Sequence, residues 1–171
     1  MLGPTLTGDR VLLRPTGDAD IERLRAILLE PSVARWWGPP PTKGVAEDWL
    51  DAGPDDMIFV IELDGIVIGS IQYAEENTPD YRHAGIDLFL TTTAQGRGLG
   101  PDAIRTVARY LIDVRGHHRL TIDPSAANER AIRAYSKLGF RPVGVMRRYE
   151  RGADGSWHDG LLMDLLADEL T

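Results

Sequence analysis

The sequence predicts one mixed α/β domain, and three observations carry that expectation. Short or alternating apolar runs of strand type are interleaved with segments whose apolar residues recur at helical spacing. A glycine-rich stretch, Gln95-Gly96-Arg97-Gly98-Leu99-Gly100, stands between a strand-like run and a clear amphipathic helix pattern. The 171 residues match one ordinary domain, 1–171, with no internal repeat, linker or low-complexity tract to divide them.

Arg10 to Arg14 reads as the first strand, stopped by Pro15. Asp18 can cap the next helix, whose buried stripe would be Ile21, Leu24, Ile27 and Leu28, and Pro31 ends it. Ser32 can open a short helical turn that delivers Trp36 and Trp37. Gly38-Pro39-Pro40-Pro41 breaks it, and a short helix then runs through Trp49 and Leu50. Met57 to Leu63 and Ile66 to Tyr73 form a hairpin across Asp64-Gly65. Glu75 to Arg82 is polar and reads as a loop; Ala84 to Leu90 is the strand that feeds the glycine stretch.

The following helix carries Ile104, Val107, Ala108, Leu111 and Ile112 on one face. Arg119 to Asp123 is a short strand, and Asn128 to Leu138 a helix with Gly139 placed as its C′ residue. Val143 to Glu150 and Trp157 to Leu165 form a last hairpin. The order is strand, two helices, three strands, helix, strand, helix, two strands.

Composition narrows the function. No apolar run approaches the roughly 18 residues that span a membrane, and Met1 to Arg10 shows no signal pattern, so a soluble cytoplasmic protein is expected. The chain has no cysteine, which excludes disulfides, thiolate metal sites and a cysteine nucleophile. Its four histidines make no metal pattern; His117 and His118 sit at a helix exit, where solvation or the helix dipole accounts for them. A net charge of −7 argues against nucleic acid and suits a cationic small substrate.

The glycine stretch is an anion-binding device if a strand precedes it and a helix follows. The first helical N–H groups lack intrahelical partners, the dipole is positive there, and glycine lets a phosphate approach the backbone. A Walker loop is excluded because no Gly-Lys-Ser/Thr follows. The G-x-G-x-G spacing does not support a dinucleotide fold either.

Read as Q-x-x-G-x-G on Gln95, Gly98 and Gly100, the stretch resembles the pyrophosphate loop of the GCN5-related N-acetyltransferases (GNAT). The resemblance extends through Asp123-Pro124-Ser125, Asn128, Arg130 to Tyr135 and Lys137-Leu138-Gly139-Phe140. With Gly85-Ile86-Asp87 and Trp36-Trp37-Gly38 it is similar to one branch, the aminoglycoside 6'-N-acetyltransferases. The strong part covers about Ala84 to Gly144.

That resemblance implies a mixed, mostly antiparallel sheet flanked by helices, with acetyl-CoA in a splay between two central strands. It implies that Leu90, Thr92, Gln95, Gly96, Arg97, Gly98, Leu99, Gly100 and Asn128 hold the cofactor. Thr92 departs from the family, where many relatives have Pro, and Pro101 directly after the loop requires a place in the first helical turn. The backbone N–H of Leu90 would polarise the thioester carbonyl, and Tyr135 would protonate the departing thiolate. Tyr135 also suits a core aromatic on its helix, and Asn128 a helix cap.

Asp87 alternates against Ile86, Leu88 and Leu90 and so faces the other side of its strand. Such a carboxylate must be paired, solvated or used. The resemblance makes it the group that holds or deprotonates the acceptor amine. An alkylammonium with pKa about 10.4 is neutral in only about one molecule in a few thousand at pH 7. Asp123 would contact a substrate ammonium or close an Asx turn. One of Trp36 and Trp37 would be core and the other a cleft wall. Gln72, read as facing with Ile66 and Ile68, and Glu75, with Glu76, would line the acceptor end.

The expected activity is direct attack of a substrate amine on acetyl-CoA, with a 6'-amino aminoglycoside or other cationic amine as acceptor. The expected oligomeric state is a monomer or homodimer. A protein N-terminus or a lysine-like metabolite is the alternative acceptor. A catalytically silent acyl-CoA sensor is the alternative of another class, which Asp87 and Tyr135 disfavour.

Overall fold

Strand-patterned segments, apolar and β-branched at the centre of the sheet and more polar toward one edge, share one sheet. The computed structural model describes residues 3–38 and 52–171, so the short helix expected through Trp49 and Leu50 lies outside the described residues. The strands are β1 (Leu6–Thr7), β2 (Leu12–Pro15), β3 (Asp56–Leu63), β4 (Ile66–Glu76), β5 (His83–Leu90), β6 (Arg119–Ile122), β7 (Arg141–Arg151) and β8 (Trp157–Leu166). The helices are α1 (Ile21–Leu28), α2 (Pro31–Trp37), α3 (Leu99–Arg109) and α4 (Glu129–Leu138). The sheet order is β1-β2-β3-β4-β5-β6-β8-β7. β5 and β6 run parallel, and the other neighbours pair antiparallel, the mixed and mostly antiparallel sheet expected.

Each face of the sheet buries a separate apolar cluster. On one side Leu13, Phe59, Ile71 and Ile86 meet Ile104, Val107 and Leu111 from α3 and the turn beyond it, and Leu138 from α4. On the other, Val60 and Phe89 meet Leu24, Ile27 and Leu28 of α1 and Val33 of α2. The helical stripes read from spacing are therefore the buried ones. Alternation along β5 holds too, with Ile86, Leu88 and Leu90 at the first cluster and Phe89 in the second.

Three expectations fail for reasons of geometry. β1 is only two residues long, too short to show a period. β4 carries a bulge where Ile61 pairs with Gly69 and Glu62 with Val67. The extra residue breaks the alternation assumed for Gln72: Ile68 packs with Ile71 and Tyr73 in the first cluster, while Gln72 lies opposite Asp87 on the second face.

β4 also runs on to Glu76, because Glu75 is not a loop residue. Its buried carboxylate accepts from Arg115 Nε at 3.0 Å and Nη2 at 2.8 Å, and lies 2.6 Å from His117 Nε2. Burial pushes the Glu75 carboxyl up, but the Arg115 and His117 bonds outweigh it and hold it below the usual range. Glu75 is thus a structural anchor rather than an acceptor-site residue. His117 is buried with it and not solvated, whereas His118 is exposed.

A second carboxylate fixes the chain's start against α3. Buried Asp102 accepts the N–H groups of Asp9 (2.9 Å), Arg10 (2.8 Å) and Val11 (3.1 Å). Arg10 Nη1 in turn donates to Arg97 O at 2.7 Å, tying this turn to the glycine loop. Asp102→Ala strands three backbone donors and is expected to cost about 3 kcal/mol. Urea unfolding would show this as a lower midpoint at unchanged slope.

Candidate active site

β5 and β6 pair only at Ala84–Leu120 and Gly85–Thr121, although β5 continues to Leu90. Beyond Gly85 the two strands splay, and a cleft of about 1060 Å³ opens there. Thr91 N–H reaches back to Ile68 O on β4 at 2.8 Å, so by alternation the preceding Leu90 N–H points the other way, into the splay.

One end of the cleft is built for an anion. Gly96 (φ 71°) and Gly98 (φ 77°) are both left-handed, and Gly98 is the N-cap of α3. A Cβ on Gly96 would stand 2.7 Å from Arg130 Nη2; on Gly98 it would meet nothing within 4 Å, so there the backbone conformation itself demands glycine. Pro101 is the third residue of α3, inside the first turn, where its missing N–H costs nothing. Arg105, Arg130, Arg133 and Lys137 line the same end. Orphan peptide donors and four cations fit a phosphate-rich group such as the coenzyme.

The loop side chains divide the work differently from expectation. Gln95 lines the cleft, yet its Nε2 donates to Leu90 O (2.9 Å) and Ser32 Oγ (3.2 Å), pinning the strand end. Leu99 is fully buried in the first cluster, and Arg97 turns its guanidinium toward Thr93 O, so neither side chain lines the cleft. Thr92 is absent from the lining as well: its N–H and hydroxyl are both committed to the Glu30 carboxylate. A Thr in place of Pro supplies both of those donors. Asn128 Oδ1 accepts from Ala131 N at 3.2 Å, which makes it the cap of α4, and the residue also lines the cleft. Its cap bond leaves the amide nitrogen as the group able to donate to a ligand.

The other end is acidic. Asp87, Asp123 and Glu150 line it together, with Trp36, Trp37, Tyr135 and Tyr149. Asp87 is exposed to the cleft, crowded by protein there rather than enclosed by it. That loss of bulk water, followed by the charge of Asp123, pushes Asp87 up to about 7; Leu88 N–H works against the rise and Glu150 adds to it. Glu150 is raised too, by burial and then Asp123.

The Tyr149 hydroxyl donates to Asp123 Oδ2, and this bond, with burial, pushes the Tyr149 phenol up to about 12. Tyr135 is raised by burial and then by the charges of Asp87 and Asp123. Trp37 packs edge-on against Phe89 with centroids 5.0 Å apart, and Arg35 stacks over Trp36 at 4.4 Å. Both indoles therefore border the cleft, with Trp37 the one anchored in the core.

Gln72 sits behind Asp87 with Ser70, Trp37 and Phe89, around a small side pocket rather than the main cleft. Sequence reasoning missed Tyr149 and Glu150, which a bulge in β7 brings to the cleft, and the basic face of α4. The signal for that face was the i, i+3, i+7 spacing of Arg130, Arg133 and Lys137.

A splayed mixed sheet, a phosphate-binding helix start at the splay and carboxylates facing it define an amine transferase that draws on an acylated coenzyme. Residues 10–141 match the family described as "Acetyltransferase (GNAT) domain", and the chain belongs to it. It is 30% identical over 161 residues to aminoglycoside N(6')-acetyltransferase type 1 of Klebsiella pneumoniae, covering 83% of this chain and 79% of that one. It is 28% identical over 158 residues to spermidine N(1)-acetyltransferase of Escherichia coli K12, covering 90% and 84%. The fold superposes on Mycobacterium smegmatis RimJ in complex with CoA-disulfide with a TM-score of 0.82 at 24% identity, over 98% of this chain and 89% of that one. The chain is an N-acetyltransferase, and acetyl-CoA is its cofactor.

The Asp87 environment has a consequence for stability. Its folded value, about 7, lies above the ordinary 3.8, so the folded state bears a cost that is absent below pH 3.8, grows between the two values and is complete above pH 7. Asp87→Asn removes a group that titrates this way. Its melting temperature is expected to match the parent near pH 4 and to exceed it increasingly up to pH 8, as scanning calorimetry would show.

Proposed function

We propose that this enzyme acetylates a polycationic small molecule, and specifically the 6'-amine of an aminoglycoside. The observation that carries the reading is the convergence of Asp87, Asp123 and Glu150 at one end of a cleft whose other end is cationic. A substrate with several ammonium groups satisfies all three carboxylates at once, where a peptide N-terminus satisfies one. Trp36 and Trp37 line the cleft, and an indole is a side chain on which a sugar ring can stack, which favours the aminoglycoside. A linear polyamine is the second reading, supported by the same carboxylates and by the spermidine-acetylating relative.

In this reading the backbone donors of Gly96 to Gly100, with Arg105, Arg130, Arg133 and Lys137, hold the phosphates, and the Asn128 amide reaches the arm between. Acetyl-CoA supplies the activated acetyl thioester. Leu90 N–H, aimed into the splay, donates to a carbonyl oxygen there. Asp123 and Glu150 hold the ammonium groups that do not react. Asp87 takes the proton of the one that does, at a carboxylate oxygen. A carboxylate near pKa 7 is a stronger base than an ordinary one, which narrows the gap to an ammonium near 10.4. Tyr135 keeps its phenolic proton throughout the working range, because burial and the nearby carboxylates raise it, and so has a proton to give to the leaving sulfur.

Thiol release from acetyl-CoA, measured across aminoglycosides with and without a 6'-amine, spermidine and a peptide amine, tests the acceptor. The expected result is turnover with 6'-amino compounds and a kcat/KM that falls steeply with salt. Efficient peptide acetylation with none of the polycations would sink the reading. Asp123→Asn and Glu150→Gln are each expected to raise the acceptor KM up to about 5-fold with little change in kcat, as loss of one exposed ionic contact does.

Asp87→Asn is expected to lower kcat by about 10²-fold or more. It should also abolish the rise of kcat/KM toward pH 7 expected of the parent as Asp87 loses its proton. Tyr135→Phe is expected to cost about 10- to 100-fold in kcat at saturating acetyl-CoA, because a thiol ionising near pH 8.5 leaves without full protonation. An unchanged rate would make Tyr135 a packing residue.

A further inference from the structure

The Glu30 carboxylate lies outside the catalytic cleft, yet it ends a hydrogen-bond chain that spans both halves of the site. Glu30 is the N-cap residue of α2, the helix that carries Trp36 and Trp37. Its Oε1 accepts from Thr91 Oγ1 at 2.6 Å, and its Oε2 accepts from Thr92 N at 2.6 Å and from the Thr92 hydroxyl. Burial pushes the Glu30 carboxyl up, but these donors outweigh it, and the group stays ionised below the usual range.

The polarity of the chain follows from that charge. An ionised carboxylate only accepts, so Thr92 Oγ1 must donate to it. Ser32 Oγ, 2.7 Å from Thr92 Oγ1, must then donate to Thr92. With its proton committed, Ser32 Oγ accepts from Gln95 Nε2, whose amide also donates to Leu90 O. The three links from Gln95 to Ser32, to Thr92 and to Glu30 run one way, from the amide at the head of the cofactor loop to the anion. A chain so polarised is stronger than its separate links.

We propose that Glu30 is a positioning residue that locks α2, the wall of the acceptor half, to the exit of β5 and the cofactor loop, so that filling the coenzyme half orders the acceptor half. The proposal rests on the cofactor of the family and not on the identity of the acceptor. In Glu30→Gln one carboxylate oxygen becomes an NH₂ donor. Turned toward Thr91 Oγ1, which can accept as well as donate, it leaves only a neutral amide oxygen to receive the Thr92 N–H and hydroxyl, and the charge that polarises the chain is lost. Thr92→Val removes the hydroxyl link alone and keeps both the Thr92 N–H bond and the side-chain shape.

Hydrogen–deuterium exchange with coenzyme A as the probe reads the coupling directly. In the parent, coenzyme A is expected to slow exchange both in the loop (residues 96–100) and in α2 (residues 33–37). In Glu30→Gln and in Thr92→Val the loop should still be protected, with the α2 protection reduced at least about 5-fold, the lower end of ordinary coupling between sites. In parallel, thiol-release kinetics with whichever amine the parent turns over should show the acceptor KM raised by about the same factor, with the KM for acetyl-CoA within about 2-fold. A purely structural Glu30 would shift both constants or neither.

The inference is overturned if coenzyme A leaves α2 exchange unaffected in the parent. It is equally overturned if α2 protection persists in full in both variants. Should Glu30→Gln fail to fold, Thr92→Val alone decides between these outcomes. Failure of the polycation reading would show differently, as a wrong acceptor profile with the exchange coupling intact.

Discussion

The cleft exists because two central strands start to pair and then stop. A backbone N–H or C=O left unpaired in the middle of a sheet is costly unless something else meets it. β5 is fully paired on its β4 edge, from Glu76–His83 to Gly69–Leu90. On its other edge it has only two partners on β6. The cause of the parting lies on the far side. Leu161 N–H donates to Pro124 O and Ala126 N–H to Asp159 O, both at 2.9 Å, which binds the chain leaving β6 to β8. β5 is meanwhile held to β4 and, through Thr91 and Thr92, to Glu30. The freed edge of β5 becomes the surface on which an acyl group can be received, and Leu90 N–H is aimed there for the same reason that β6 is not.

The cleft is also electrically divided, and net charge describes it poorly. A total of −7 suggests a uniformly acidic surface. The structure instead gathers cations from α3 and α4 at the glycine loop and carboxylates from β5, β7 and the end of β6 at the opposite end. Each end suits one half of a two-substrate reaction, a polyphosphate and an ammonium. The acidic end carries a cost: Asp87 and Glu150 are both raised by burial and by the charge of Asp123. A cation placed among them offsets the repulsion from Asp123, while the burial that raises Asp87 most remains.

What the sequence made legible was local. The glycine loop, its strand and its helix lie within about thirty residues, and periodicity decided the facing of Asp87 correctly. α4, with its Asn128 cap and its Gly139 terminus at φ 109°, was read to within a residue. What stayed hidden depended on partners remote in the chain. Glu75 looks like a loop carboxylate until Arg115 and His117, 40 and 42 residues away, are found around it. Thr92 reads as a cofactor contact until Glu30 is found 62 residues before it. The facing of Gln72 failed because a single bulged residue resets strand alternation and leaves no mark in composition.

The same kind of irregularity supplies the acceptor end with residues that alternation would not place there. Between Met146–Gly160 and Glu150–His158 the register of β7 on β8 slips, with three residues on β7 set against the single Asp159. The slip is held open by Arg148, which is forced to φ 49° and has its N–H fixed by Asp159 Oδ1 at 2.8 Å. A non-glycine residue is strained there, and the carboxylate bond offsets the strain. The outcome is that Tyr149 reaches Asp123 and Glu150 reaches the cleft, both from an edge strand whose neighbouring residues are largely exposed. An edge strand tolerates inserted residues because it has one partner to satisfy instead of two. The coenzyme half rests on a helix start and a glycine loop that admit little change. The acceptor half rests partly on a bulge in an edge strand, remote from that loop, which alone decides that Tyr149 and Glu150 reach the cleft.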